Sequence, residues 1–95
     1  MFIVLLRFSS NKASAPDHMA EHNAWLKQGF DDGVFLLAGS IEPSQGGAIL
    51  AHDVSADDLA ARIDNDPFVA EDVVIADVVE ISPKQAAGNL QFLVG

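Results

Sequence analysis

The distribution of apolar and polar residues along the chain predicts four strands and two helices. The segment Phe2–Phe8 is short and rich in β-branched and aromatic residues, which is typical of a strand. Its two alternating sets of side chains are both mostly apolar, as expected for a strand that is covered on both faces. Similar apolar segments predict further strands at 34–40, 47–52 and 73–81. A hairpin is the simplest connection between the second and third strands.

Two intervening segments carry signals for helix starts and stops. Ser14, followed by Pro16 and Asp17, predicts a first helix that runs to about Asp32 and is stopped by Gly33. Ser55 and Asp58 predict the start of a second, shorter helix. That helix ends in the segment 64–67, whose proline predicts an extended or turn conformation at Asp66.

The resulting order, β-α-β-β-α-β, predicts a ferredoxin-like α+β fold with a four-stranded antiparallel sheet and both helices on one face. The strands are apolar on both faces, yet the chain has no spare element to cover the second face. We therefore expect a homodimer of stacked sheets, a dimeric α+β barrel. Residues 1–84 would form the domain. Residues 85–95 would form a tail whose QFLV segment adds to a sheet edge or contacts the dimer partner.

Composition narrows the possible partners. Fourteen acidic residues against five basic ones give a formal charge of −9, which disfavours nucleic-acid binding. The chain has no cysteine, which excludes disulfides, thiolate catalysis and Cys-ligated metals. No apolar run approaches the ~20 residues of a membrane span, and the apolar N-terminal segment is typical of a strand and not of a signal peptide. A soluble, cytoplasmic protein is expected.

His22 is the main candidate for chemistry. It shares a helical stripe with Met19 and Leu26, which should face the core, and a buried imidazole needs partners for its nitrogens. A general acid or base of this kind is held by a carboxylate, for which Asp66 is the first candidate and Asp64 the second. The alternatives are a structural histidine and aspartates that serve only local turn hydrogen bonds.

Three other features of the sequence are weaker candidates for chemistry. The segment His18–His22 matches H-x-x-E-H, a zinc-protease pattern, but no third ligand is evident and coincidence is the favoured explanation. Ser40 could line a pocket beside His22, although no G-x-S-x-G motif supports a hydrolytic triad. Arg7 could pair with Asp77 or Glu80, or could hold an acidic ligand if it faces a cavity.

An ordered set of short motifs resembles the YCII-related domain family. The set begins with His22, Trp25-Leu26-Lys27 and the passage from Asp32-Gly33 to Gly39. It continues with Gly46-Gly47, Asp66-Pro67-Phe68 and Ile81-Ser82-Pro83. The likeness spans roughly residues 1–84. It implies a ferredoxin-like fold that dimerises into a barrel, with a His–Asp pair that would be His22 and Asp66 here.

The resemblance also implies possible chemistry. One characterised type of relative removes chloride from a chlorinated hydroxyquinol, and muconolactone isomerase-like proteins share the barrel. Family members often carry an arginine one turn before the histidine, where this chain has His18 and Met19. The chain therefore has no arginine at that position to recognise an anionic substrate. Gly39-Ser40 likewise replaces a frequent Gly-Pro.

Residues and resemblance together favour a small homodimeric enzyme in which His22 and Asp66 perform acid–base chemistry on a small organic substrate, without cofactor or metal. Elimination, dehydrochlorination and isomerisation are the expected reaction types. The alternative is a non-catalytic dimeric module that binds a metabolite in the same pocket. The predicted substrate-binding residues are Ser40, Arg7, His18 and Phe68.

Overall fold

All four predicted strands are present, with boundaries shifted by one residue or less. The computed structural model describes every residue from Met1 to Gly95. The strands are β1 (Phe2–Phe8), β2 (Phe35–Ile41), β3 (Gly46–Ala51) and β4 (Val74–Glu80). They form one antiparallel sheet in the order β2-β3-β1-β4, with β2 and β3 joined as the predicted hairpin.

The helices include one that the sequence did not predict. The two expected ones are α1 (Ala15–Asp31) and α2 (Ala56–Asp64), and a four-residue helix α3 (Pro67–Ala70) follows directly. Short 3-10 helices lie at Lys12–Ser14 and Gly88–Leu93. The topology is therefore the ferredoxin-like α+β arrangement, with an added helical turn between α2 and β4.

The two predicted helix caps have different outcomes. The Ser55 side chain accepts a hydrogen bond from the Asp58 N–H at 3.1 Å, as its position predicts. Ser14 forms no such cap. Its hydroxyl donates to Asn11 Oδ1 at 2.8 Å because the preceding 3-10 turn brings Asn11 close. The prediction for Ser14 was wrong in this detail, although α1 begins where expected.

The hydrophobic core lies between the helices and one face of the sheet. On β1 the buried residues Phe2, Val4 and Leu6 alternate with the less buried Ile3 and Leu5, in agreement with the period of a strand. Twelve buried apolar side chains form this core: Phe2, Val4, Leu6, Val34, Phe35, Ile49, Ala51, Leu59, Ile63, Phe68, Val73 and Val74. Because residues of α2 and α3 belong to the same cluster as β1, the helices cover this face.

A close approach of α1 to the start of β2 depends on a glycine. Gly29 is buried within α1, and a Cβ built on it would lie 2.1 Å from Cδ2 of Phe35. Only a residue without a side chain lets the Phe35 ring pack directly against the helix backbone. This contact sets the distance between α1 and the sheet.

The opposite sheet face is apolar and open in the single chain. Ile75 is 63% exposed, Leu37 is 54% exposed and Val79 is 44% exposed. Pairing places Ile3 of β1 between Leu50 of β3 and Val79 of β4, so these side chains share one face. The prediction that the strands are apolar on both faces is confirmed, and one chain covers only one of them.

The tail does not extend the sheet. Residues 88–93 form a 3-10 helix with local bonds such as Leu90 N–H to the Ala87 carbonyl at 2.8 Å. The expectation that QFLV adds to a sheet edge is therefore not met within the chain, since its backbone is satisfied locally. Phe92 packs its ring against His52, with centroids 5.4 Å apart. The helices of this fold are all too short or too polar to cross a membrane.

Candidate functional site

His22 projects from the middle of α1 and is held at one ring nitrogen. Its Nδ1 lies 2.7 Å from Oδ1 of Asp66, and the His22 side chain is 12% exposed. An ionised carboxylate can only accept hydrogen bonds, so Nδ1 carries the proton in this contact. The neutral imidazole then has its lone pair on Nε2, which makes no hydrogen bond within the chain.

Asp66 is wholly buried at the junction between α2 and α3. Pro67 keeps it extended, with φ −66° and ψ 122°, and this conformation makes it the N-cap of α3. Oδ1 accepts both the His22 contact and the backbone N–H of Phe68 at 3.0 Å. Oδ2 is buried with no hydrogen-bond partner. Burying a charge is costly unless it is paired, so the position of Asp66 depends on these two donors.

Aromatic rings surround the imidazole. Phe68 stacks on His22 with ring centroids 4.0 Å apart and planes at 4°, and Trp25 lies 5.8 Å away at 27°. The Trp25 indole N–H donates to the Arg62 carbonyl at 2.9 Å and so ties α1 to α2. The histidine is therefore held by packing as well as by Asp66.

A cavity of about 300 Å³ opens beside His22, between α1, α3 and the sheet. None of its lining side chains is a lysine, arginine or carboxylate, and the polar ones are His22, Asn23 and Ser40. Nine of the 15 lining residues are hydrophobic, among them Phe8, Leu26 and Phe68. A largely apolar site with a few polar groups is typical of small-molecule binding.

The structure brings most of the predicted site residues together. His22, Ser40 and Phe68 line the cavity, and Asp66 lies behind His22. Asp64, the second candidate carboxylate, is exposed at the end of α2.

Arg7 and His18 do not line this cavity. Leu6 and Phe8 do, and alternation along β1 directs the intervening Arg7 to the open sheet face. Arg7 forms no ion pair with Asp77 or Glu80. Substrate binding by Arg7 and His18 thus stays a prediction without a supporting contact in the single chain.

The zinc pattern gains no third ligand from the fold. No group of three or more His, Cys, Asp or Glu side chains is arranged to hold a metal ion. In addition, Nδ1 of His22 is engaged by Asp66. The spacing of His18 and His22 is that of neighbouring turns in any helix.

Asn23 is a site residue that sequence reasoning did not single out. It lines the cavity together with Met19, His22 and Leu26. These positions follow the i, i+3, i+4, i+7 spacing of one helical face, so the periodicity of α1 contained the signal. The apolar members of this face are typical of a core stripe and gave no indication that an amide lies beside His22.

An antiparallel sheet, covered on one face by helices that hold a His–Asp pair beside an apolar cavity, defines a small α+β domain with a candidate ligand site. The chain belongs to the YCII-related domain family, whose family model matches residues 1–83. This agrees with the resemblance seen in the sequence motifs. A comparison with curated proteins finds no match.

A solved structure shares the fold. It is a 5-chloro-2-hydroxyhydroquinone dehydrochlorinase from Burkholderia phenoliruptrix AC1100, in complex with 2,5-dihydroxybenzoquinone. The alignment has a TM-score of 0.69 and covers 88% of this chain and 97% of that chain. Identity is 18%, so the likeness concerns the architecture alone.

Proposed function

We propose that this protein is an acid–base enzyme that acts on a small hydroxylated or quinone-like ring compound, with His22 as the proton-transferring group and Asp66 as its orienting partner. The observation that carries the proposal is the 2.7 Å contact between Nδ1 of His22 and Oδ1 of Asp66. It leaves Nε2 free on a histidine that lines a mostly apolar cavity. A positioned base beside a pocket is the minimum that proton abstraction requires.

The chemistry follows from the arrangement of the pair. Nε2 accepts a proton from a hydroxyl or carbon of the bound ring, and the Asp66 carboxylate stabilises the imidazolium that forms. In an elimination, the electron pair released by the substrate forms the new π bond as the leaving group departs. In an isomerisation, the imidazolium returns the proton to a different atom. Neither sequence needs a redox partner, so the proposal includes no cofactor.

The size of the cavity suits a ligand that contains a single ring. Its volume of about 300 Å³ is at the lower end of the range for small-molecule sites. Apolar walls suit the faces of a planar ring, while Asn23 and Ser40 offer hydrogen bonds to its oxygens. The fold relative was solved with 2,5-dihydroxybenzoquinone, a ligand of this kind.

We also propose that two chains associate through their open sheet faces. The exposed apolar side chains of β2 and β4, with Ile75 at 63% exposure, supply the surface for this contact. A two-fold interface pairs the same patch on both chains, as the stacked sheets of a barrel would. A cytoplasmic homodimer with a small-molecule ligand is the form in which we expect the protein to act.

Binding and turnover are tested with matched histidine variants. Calorimetry with 2,5-dihydroxybenzoquinone measures binding, and chloride release from 5-chloro-2-hydroxyhydroquinone measures dehydrochlorination. We expect His22→Gln to lower turnover by about 100-fold or more, in line with the loss of a general base. His52→Gln, at a histidine that lies outside the cavity, should keep both activities.

The same experiment distinguishes the enzyme from the alternative, a non-catalytic binding module. A wild-type protein that binds the quinone but releases no chloride, with His22→Gln still binding, would favour the non-catalytic binding module. Absence of binding by the wild-type protein would contradict the proposed substrate class.

A further inference from the structure

Phe68 makes two contacts with the His–Asp pair. Its backbone N–H donates to Oδ1 of Asp66 at 3.0 Å, the same oxygen that accepts from His22. Its ring lies flat on the imidazole, with centroids 4.0 Å apart and planes at 4°. One residue thus supports the carboxylate through the main chain and the imidazole through the side chain.

The Phe68 ring restricts a motion of the His22 imidazole that the hydrogen bond to Asp66 does not prevent. A single bond at Nδ1 still permits the imidazole to rock about that contact, since histidine χ2 is a broad torsion. A ring in contact with the imidazole face blocks this movement. Phe68 is itself 6% exposed and belongs to the main core cluster, so it cannot easily withdraw.

The local fold explains why the two contacts come from one residue. Pro67 is the first residue of α3 and holds Asp66 in the capping conformation. Phe68 is the second residue of the helix, so its N–H points back to the cap while its side chain projects toward α1. Asp66, Pro67 and Phe68 therefore present carboxylate and ring to His22 as one rigid unit.

We infer that Phe68 is a positioning residue for His22: its ring holds the imidazole so that Nδ1–H stays bonded to Asp66 and Nε2 stays free on the side chain that lines the ligand cavity. This differs from the substrate-binding role expected from the sequence. The inference rests on the proposed function for its catalytic meaning, but the geometry itself is measurable without substrate.

The test is NMR spectroscopy of the imidazole in the ¹⁵N-labelled wild-type protein and in matched variants. Wild type should show a protected, low-field Nδ1–H proton and a single neutral tautomer with the lone pair on Nε2. Phe68→Leu should lose the protected proton through faster exchange and show averaged ring-nitrogen shifts. Phe68→Tyr, which keeps the ring, should restore the wild-type signals. Phe2→Leu, a loss of a ring that is 5% exposed on β1 and makes no ring contact with His22, Trp25 or Phe68, should keep them.

Phe68→Met provides a second ring-free variant that retains apolar volume, in case the leucine variant does not fold. Retention of the protected Nδ1–H and single tautomer in a folded, ring-free variant would overturn the inference. Loss of these signals in Phe2→Leu as well would also overturn it, because general loosening of the core would then suffice.

Turnover separates this inference from the proposed function. If both hold, Phe68→Leu should lower kcat about tenfold or more while Phe68→Tyr recovers most of it. A wild-type protein that shows the NMR signature yet neither binds nor converts the ring compounds would refute the function alone. Normal wild-type turnover with an unchanged imidazole in Phe68→Leu would refute the positioning role alone.

Discussion

Nδ1 of His22 lies 2.7 Å from Oδ1 of Asp66, although the two residues are 44 positions apart in the chain. The contact joins the middle of α1 to the junction between α2 and α3. Because Asp66 is wholly buried, it serves at once as helix cap, as partner of the histidine and as part of the packed interior. Changes at this residue should therefore affect both stability and chemistry.

Asp66→Ala should lower the free energy of unfolding by about 2–4 kcal/mol. It removes a helix cap, worth roughly 1 kcal/mol, and a hydrogen bond to a charged group, worth about 1.5–3 kcal/mol. Asp66→Asn keeps an acceptor for Phe68 and should lose less. Urea denaturation measures the stability of both variants. Asp64 is exposed and its side chain makes no hydrogen bond, so the control Asp64→Ala should change the free energy of unfolding by at most about 0.5 kcal/mol. Equal losses at the two positions would argue against the buried network.

Gly29→Ala should destabilise the protein despite the higher helix propensity of alanine. A Cβ at this position would lie 2.1 Å from the Phe35 ring, which is packed too tightly to move freely. Overpacking of this kind costs about 1–3 kcal/mol, against a propensity gain of about 1 kcal/mol. Thermal unfolding of the single variants and of Gly29→Ala with Phe35→Leu forms a double-mutant cycle. Simple additivity in that cycle would contradict the predicted clash.

Gly46→Ala and Gly47→Ala should differ sharply although they are neighbours. Gly46 has φ +130°, and a Cβ there would meet the Leu6 carbonyl oxygen at 1.9 Å. We expect its replacement to cost about 2 kcal/mol or more, from backbone strain and displacement of β1. The nearest atom to a Cβ on Gly47 is the Gly39 carbonyl oxygen at 3.4 Å. Gly47→Ala should therefore lower the free energy of unfolding much less than Gly46→Ala, as measured by urea denaturation of both variants. A larger loss for Gly47→Ala would refute the assigned backbone geometry.

Val79→Glu should disrupt the proposed dimer. Val79 is 44% exposed on the open sheet face, where it pairs with the apolar Ile3, so a glutamate there would be buried without a partner when two chains associate. Sedimentation should give twice the chain mass of 10.1 kDa for wild type and the single-chain mass for the variant. Phe30→Glu places the same change on α1, at a side chain that is 42% exposed and away from that face, and should stay dimeric. A monomeric wild-type protein would contradict the proposal.

Local patterns in the chain were sufficient to predict the elements and their order. Alternation in β1 placed Phe2, Val4 and Leu6 on one face of the strand, and the structure shows that this face is the buried one. The Ser55 cap marked the start of α2, and Pro67 indicated that Asp66 is not helical, which its φ of −66° and ψ of 122° confirm. These features depend on backbone sterics and on hydrogen bonds between near neighbours, which act over a few residues and are therefore visible in sequence.

The short elements and the tail were harder to predict. Four residues after a proline are too few to show a helical period, so α3 was missed. The apolar Phe92 and Leu93 suggested a strand, but short apolar segments do not distinguish strand from helix. In the structure, hydrogen bonds between near neighbours hold this segment in a 3-10 helix.

The sequence by itself determined the α+β fold class, the apolar character of both sheet faces and a short set of candidate residues. Only the tertiary structure decided that Asp66 and not Asp64 meets His22, that Phe68 covers the imidazole, and that Arg7 lies away from the cavity. The physical reason is that periodicity assigns a side chain to a face of its own element. Which atoms of distant elements meet depends on how those elements pack, and here that packing is set by contacts such as Gly29 against Phe35 and Trp25 against the Arg62 carbonyl.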